Sequence, residues 1–281
     1  MPIKKRKRGV EPTEVPAQSP SGERTINVPK TRRKEPPASR DNISLVDDIN
    51  SLPFSEFVDR YIPPYALDLT IRPSRASSND TTSDATHDAY SVKFYTAASI
   101  PAEYMDACFN LIYFTSSEAY NKSASGWSGR KKKLEMKLLD MRYIVLVSEN
   151  ETTSKDPLGI SPIGGFLSFM VTQEDELPVL YCYEIHLAPE VQHRGVGKQL
   201  LRIFEDIGRN VGLRKGMLTV FKSNQSAVRF YEQIGFTEDE SSPKPTRLRN
   251  GKMREHDYMI MSQPYADGNE DCMDITDQDL N

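Results

Sequence analysis

Val191-Gln192-His193-Arg194-Gly195-Val196-Gly197-Lys198 is the stretch that decides the fold. It follows a long apolar run, Pro178–Leu187 (PVLYCYEIHL), which reads as a strand. It opens Gly195–Val211, a helix with Val196, Leu200, Ile203, Phe204, Ile207 and Val211 on one face. Glycines at 195 and 197 remove Cβ atoms, so successive backbone N–H groups can turn inward together. Those groups, with a helix N-terminus behind them, make an anion cradle suited to a pyrophosphate. Gln192, His193 and Arg194 add side-chain donors. A Walker A loop fails, because Lys198 is followed by Gln199. A dinucleotide fingerprint fails too, because position 200 is Leu rather than a third glycine. An ordinary glycine-containing helix start remains the plain alternative.

Outward from this turn, the remaining elements mix strands with helices without clean βαβ alternation. Helices are predicted over Pro53–Tyr61, Pro101–Asn121, Ser128–Asp140 and Ser226–Ile234. In Pro101–Asn121 the apolar spacing runs through Met105, Phe109, Ile112 and Tyr113. Strands are predicted over Ser91–Thr96, Arg142–Val147, Gly164–Val171, Gly216–Phe221 and Asp257–Met261. The expected fold class is α/β (α+β), a central mixed, mostly antiparallel sheet flanked by helices.

Composition sets the limits. The 281 residues are 37% hydrophobic and 27% charged, with a net charge of −4. That small charge hides opposite ends. Residues 1–40 carry eleven Lys/Arg against four Asp/Glu; residues 264–281 carry six Asp/Glu and no Lys/Arg. Residues 1–46 are read as a disordered basic tail, 47–263 as one domain with a flexible loop at about 74–89, and 264–281 as a disordered acidic tail. No apolar run approaches the roughly 18 residues of a membrane span. The basic start lacks the apolar core of a secretory signal. Three cysteines without CxxC spacing, and four scattered histidines without HxxxH, predict neither a disulfide framework nor a metal site. Lys4-Lys5-Arg6-Lys7-Arg8 reads either as a nuclear-import or nucleic-acid patch or as a solubilising tail.

Gln192-x-x-Gly195-x-Gly197 after a strand resembles the cofactor turn of acyl-CoA-dependent N-acetyltransferases, the GNAT superfamily. The downstream Asn224 and the run Ala227-Val228-Arg229-Phe230-Tyr231-Glu232-Gln233-Ile234-Gly235-Phe236 resemble the end of a GNAT core. Four further stretches resemble the NatD branch, the N-terminal acetyltransferases of core histones. They are Tyr181-Cys182-Tyr183-Glu184, Met217–Lys222, Glu238–Pro243, and Gly126-Trp127 with Arg130–Lys133. This resemblance covers roughly residues 100–262. It implies a GNAT fold, acetyl-CoA as co-substrate, no metal, and transfer to the α-amine of tails starting Ser-Gly-Arg-Gly. It also implies histone tails as partners, no membrane, and residence in nucleus and cytoplasm. Nucleic acid is not required, though the basic tail offers it a weak contact.

Site residues follow by the same resemblance. Ile185, His186 and Leu187 would hold the pantetheine through their backbone, and Gln192, His193, Arg194, Gly195, Val196, Gly197 and Lys198 the pyrophosphate. Asn224 would steady the pantetheine arm, and Tyr231 would face the sulfur as general acid. Tyr120, Trp127, Tyr181, Tyr183, Thr219, Ser241 and Tyr258 would contact substrate. Glu184 is the candidate base. Flanked by apolar residues on its strand, it is expected to be desolvated, with its pKa raised toward a useful value. An α-amine, with a pKa of about 7.7–8.0, needs only modest help from such a base. Two features depart from the branch. Only the second Trp of its Trp-Gly-Trp is present, at Trp127. Phe169 is followed by Met170 where the branch has an Asp. Glu174, Asp175 or Glu176 could stand in for that Asp. Acidic residues Glu174–Glu176, Glu238–Glu240, Glu255 and Asp257 would suit a basic tail, or simply form a solvated surface. The alternatives are a GNAT enzyme acting on lysine or another amine, and a non-catalytic chromatin-binding protein of the same fold.

Overall fold

The computed structural model describes residues 40–72, 89–124, 126–149, 160, 162–247, 249, 251 and 253–265. The predicted tails before residue 40 and after 265, and nearly all of the predicted 74–89 loop, lie outside them. The chain enters through α1 (Arg40–Ser51), α2 (Phe54–Tyr61) and α3 (Pro64–Leu67), then β1 (Thr70–Ile71) and β2 (Tyr90–Thr96). Next come α4 (Ala102–Lys122), α5 (Gly129–Glu135), β3 (Arg142–Ser148), β4 (Ile163–Glu174) and β5 (Leu177–Leu187). A single turn at Pro189–Val191 leads into α6 (Val196–Val211), β6 (Lys215–Phe221) and α7 (Gln225–Gln233). The chain closes with β7 (Thr237–Glu238), β8 (Thr246–Arg247), β9 (Met253–Arg254) and β10 (Tyr258–Pro264).

Eight strands form one sheet in the order β1-β2-β3-β4-β5-β6-β10-β7. Every neighbour pair is antiparallel except β5–β6, which is parallel. The predicted mixed, mostly antiparallel sheet with flanking helices is therefore the observed one. The centre of the sheet is dry: Ile144, Val145, Leu146, Phe166, Leu167, Val171, Val179 and Leu180 are fully buried. Helix α6 covers it with Leu200, Phe204 and Ile207, and α1 and α4 pack on β4 and β5. Among the described residues no helix is long and apolar enough to cross a membrane.

The short elements α3, β1, β7, β8 and β9 have no counterpart in the sequence reading, and three helices differ from it. Helix α1 begins at Arg40, seven residues before the expected onset of order at Asp47. Its hold on the sheet is long-range: the Asn50 amide donates to the Val171 carbonyl at 2.9 Å and accepts from the Arg142 guanidinium at 3.1 Å. Helix α5 stops at Glu135 rather than Asp140, and the Tyr143 hydroxyl takes the Met136 carbonyl at 2.5 Å. Helix α4 buries Ala107, Cys108, Leu111 and Ile112, whereas Tyr113, expected inside, is 55% exposed.

Tyr265 fixes the end of α6 against β6. Its buried ring sits in a slot left by two missing side chains. A Cβ at Gly216 would lie 2.5 Å from the Tyr265 hydroxyl and 2.9 Å from Phe204, and one at Gly208 would run into the same tyrosine ring. Helix propensity alone favours Ala over Gly by about 1 kcal/mol, so Gly208→Ala separates the two effects. The expected outcome is a net loss of about 1–3 kcal/mol from overpacking, read by denaturant unfolding. A stabilised Gly208→Ala protein would show that the ring is free to move aside.

Candidate active site

The cleft begins where β5 and β6 part. Their parallel pairing runs only from Leu180–Cys182 to Gly216–Leu218. Beyond it, β6 stays paired with β10 alone while β5 stays with β4. A register shift marks the place: Ser168 faces Glu184 but Phe169 faces Cys182, leaving Tyr183 as the extra residue of a bulge. Such a bulge bends its strand, and here it turns the end of β5 from its neighbour. The resulting cleft, of about 1420 Å³, is lined by β5, β6, the start of α6, and α7. The Ala188 N–H donates to the Gly164 carbonyl on β4. Strand alternation therefore turns the N–H groups of Ile185 and Leu187 to the open side. The Leu187 carbonyl, on that same side, accepts from Gln192 Nε2 at 2.8 Å. Gln192 thus braces the turn to the strand.

Behind it the chain coils tightly, with His193 at φ 58 and Gly195 at φ 78. Gly195 occupies the N-cap of α6, and no side chain caps that helix. The N–H groups of Val196, Gly197 and Lys198 have no helical acceptor, and among the described residues none is supplied. Gly197 lets α6 approach α7, since a Cβ there would lie 3.2 Å from the Phe230 ring. Of the residues expected at this turn, Gln192, His193, Gly195, Gly197 and Lys198 line the cleft. Arg194 does not, and the Val196 side chain is fully buried in the core, so Val196 offers only its backbone. Asn224 also lines the cleft, but its Oδ1 caps α7, accepting from the Ala227 N–H and the Ser226 hydroxyl. Its amide nitrogen is the group left for a ligand.

Glu184 sits in a buried charge cluster. Its Oε1 accepts from Lys132 Nζ at 2.6 Å, and its Oε2 meets His186 Nε2 at 2.5 Å. The Tyr120 hydroxyl lies 3.4 Å from Oε1 and 3.0 Å from the lysine. Lys132 also binds Glu135 at 2.6 Å. The side chains of Lys132 and Glu184 are only 7% and 9% exposed. Burial by itself raises the Glu184 pKa, but His186 and Lys132 outweigh it and hold the carboxyl down at about 2. The expected upward shift is thus reversed. Desolvation was legible on the strand, and so was His186 two residues on along the same face, whereas Lys132 reaches Glu184 only through the fold. Burial lowers the Lys132 pKa, but Glu184, Tyr120 and Glu135 outweigh it and raise it above the usual lysine range. Burial and the Glu184 charge push Tyr120 up to about 12.

The acidic residues expected to assist Glu184 do not touch it. Asp175 and Glu176, at φ 46 and 67, make the two-residue turn of the β4–β5 hairpin. Glu174 lines the cleft, its pKa raised by burial and by Asp175. The second carboxylate of the cluster is Glu135, acting through Lys132. Tyr181, Tyr183, Thr219 and Tyr258 all line the cleft, as expected of substrate contacts. The Tyr181 hydroxyl and Thr219 Oγ1 are 2.6 Å apart, and the Tyr181 and Tyr183 rings are 5.4 Å apart. Tyr231 is 8% exposed, and burial keeps its phenol protonated. Two expected contacts lie outside. Trp127 packs against Phe109, Tyr113 and Tyr120, supporting the cleft through Tyr120 alone. Ser241 is tied to Asp239 at 2.6 Å, in a cluster that Lys215 completes.

Sequence reasoning missed the roles of Lys132 and Glu135 in the Glu184 cluster, and took His186 only for its backbone. One signal was present: Lys132 precedes the buried Met136 by four residues, one helical turn on the same face.

Residues 118–236 match the family model described as acetyltransferase (GNAT) family. N-alpha-acetyltransferase 40 of Saccharomyces cerevisiae is 30% identical over 160 residues, 50% of this chain and 54% of that protein. The uncharacterized N-acetyltransferase YycN of Bacillus subtilis is 34% identical over 76 residues, 27% of this chain and 49% of that protein. The chain spans about half the length of these curated relatives. Among solved structures, the PaiA N-acetyltransferase of Thermoplasma acidophilum in complex with coenzyme A is 18% identical, with a TM-score of 0.44. That match covers 62% of this chain and 99% of the other. The fold is the GNAT fold, and the matched span carries Glu184, its partners Lys132 and His186, and the α6 turn.

Proposed function

We propose that this protein transfers acetyl from acetyl-CoA to the α-amine of a protein N-terminus, and that its substrates are core histone tails starting Ser-Gly-Arg-Gly. The observation that carries the reading is the meeting of three features in one cleft. They are an unfilled row of N–H groups at a helix start, a strand edge free to bind an extended arm, and an ionised carboxylate beside tyrosines. The match to a yeast N-alpha-acetyltransferase supports the amine class. The four NatD-like stretches and the carboxylates Glu135 and Glu174 support a basic tail. The basic run Lys4–Arg8 supports residence in the nucleus as well as the cytoplasm.

The cleft suits acetyl-CoA. The start of α6 would hold the pyrophosphate, the N–H groups of Ile185 and Leu187 the pantetheine, and the Asn224 amide nitrogen its far end. When bound, acetyl-CoA supplies an acyl group at the thioester level. Glu184, fully ionised at neutral pH, accepts a hydrogen bond from the amine and stabilises the positive charge developing on its nitrogen. Tyr231, kept neutral by burial, is placed to donate a hydrogen bond to the leaving sulfur, which takes its proton from the amine. Cys182 also lines the cleft, but burial keeps it a thiol, which supports direct transfer over an acyl-cysteine.

The test uses labelled acetyl-CoA with a Ser-Gly-Arg-Gly-Lys peptide, free or capped at its α-amine. Product on the free peptide alone is expected. Equal product on both would move the activity to lysine. Acetyl-CoA binding with no transfer to either would overturn the enzymatic reading.

A further inference from the structure

The side chain of His186 has a use beyond supporting Glu184. Its Nε2 faces Glu184 Oε2 at 2.5 Å, and its Nδ1 faces Thr115 Oγ1 at 2.7 Å. Thr115 Oγ1 also lies 2.8 Å from the Leu111 carbonyl, one turn back on α4. His186 is 9% exposed, while Thr115 is at the protein surface. A continuous line of polar atoms thus runs from the buried carboxylate to water. The other groups against it are the Phe166 ring of β4, 5.7 Å from the imidazole, and Lys132 and Tyr120 on the far oxygen of Glu184.

Counting protons gives this line two states. A threonine hydroxyl has one proton. When Thr115 gives it to His186 Nδ1, the imidazole is neutral, carries its proton on Nε2, and donates to the Glu184 carboxylate. When Thr115 gives it to the Leu111 carbonyl, Nδ1 must carry a proton of its own, and the Glu184–His186 pair holds one proton more. Rotation of one hydroxyl therefore lets the pair take up or release a proton with no heavy atom moving.

Resting on the acetyl-transfer reading above, we propose that His186 and Thr115 form the exit path for the proton that the substrate amine loses. The balance closes. An ammonium substrate sheds one proton before attack and one as the amide forms; one of these ends on the leaving thiolate and one must reach solvent. The solvent-bound proton passes from the amine to the Glu184–His186 pair, and Nδ1 then hands a proton to Thr115 Oγ1 as the threonine proton leaves to water. His186 acts through Glu184 and does not touch the substrate.

The experiment compares wild type, His186→Gln, His186→Ala and Thr115→Val on the free peptide. The expected result is a fall in kcat of about tenfold or more in each variant, with the peptide KM within about twofold. Added imidazole restores His186→Ala in a concentration-dependent way, and Thr115→Ser behaves as wild type. Wild-type kcat in both His186→Gln and Thr115→Val overturns the relay, as does a His186→Ala defect that imidazole leaves untouched. If wild type itself transfers nothing, the acetyl-transfer reading has failed separately. The nitrogen NMR signals of His186 in the resting protein then decide. A protonated Nε2, with an Nδ1 signal that shifts in Thr115→Val, supports the hydroxyl switch; a bare Nε2 overturns it.

Discussion

Glu184→Gln is expected to lower kcat on the free peptide by about 10²–10⁴-fold, with the KM for acetyl-CoA changed little. The substitution keeps the volume and removes the charge. Glu184 is a weak base in isolation, since its carboxyl is held down at about 2, far below a reference α-amine at about 7.7–8.0. Its value to the reaction is therefore electrostatic and connective: it faces the developing ammonium and passes the proton on. A carboxamide does neither. It must also turn either its oxygen or its amide group toward Lys132, and the other toward His186, so it fits only one of the two donors well. The KM for acetyl-CoA should hold because the α6 turn is built from other residues. Steady-state kinetics across pH provide the check. Full turnover with an unchanged pH dependence in Glu184→Gln would remove Glu184 from the chemistry.

Chemistry that depends on neighbours in the chain was legible in the sequence. Gly195 and Gly197 lie beside the helix they start, and their spacing after a strand defined the anion turn. The six long strands were read to within a few residues because their apolar runs are local, whereas the two-residue strands β1, β7, β8 and β9 carry no such run. Less was legible where partners come from afar. Helix α1 (RDNISLVDDINS) has a polar composition, and what orders it is the sheet against which Ile49 and Asn50 settle. The Glu184 cluster is the sharper case. Lys132 and Glu184 are 52 residues apart, and Lys132 sits in a run of basic residues that reads as solvated surface. Strand alternation put Glu184 and His186 on one face of β5 but could not show Lys132 arriving from α5, so the direction of the Glu184 pKa shift came out reversed. His186 was read only in part, for a related reason. Its place on the strand pointed to its backbone, but the contact of its ring with Thr115 comes from α4, 71 residues away.

Lys132→Met should cost about 3–5 kcal/mol of stability, the range for removing one partner of a buried ion pair. Met fills nearly the same space without a charge, so the loss reads the electrostatics rather than a cavity. In a domain of this size it corresponds to a fall in Tm of roughly 6–20 °C. The cost arises because Glu184, 9% exposed, loses one of the two groups that hold its carboxylate ionised, and because Glu135 is left without its cation. The pH dependence gives the sign. Glu184 is lowered in the fold, so its contribution is complete above its ordinary 4.5 and is lost as pH falls toward 2. Lys132 is raised in the fold, so its contribution is complete below its ordinary 10.5 and fades only above that. Wild type should therefore hold a plateau of stability between these limits, and Lys132→Met should lose stability across it. Without the lysine, desolvation acts on Glu184 less opposed, with His186 alone left against it, and its titration should move up. Adding Glu184→Gln to Lys132→Met removes the stranded charge and should return much of the lost stability, a coupling that a double-mutant cycle measures directly. Additive losses in that cycle, with an unchanged acid limb in Lys132→Met, would mean that the lysine is not what holds the carboxylate ionised.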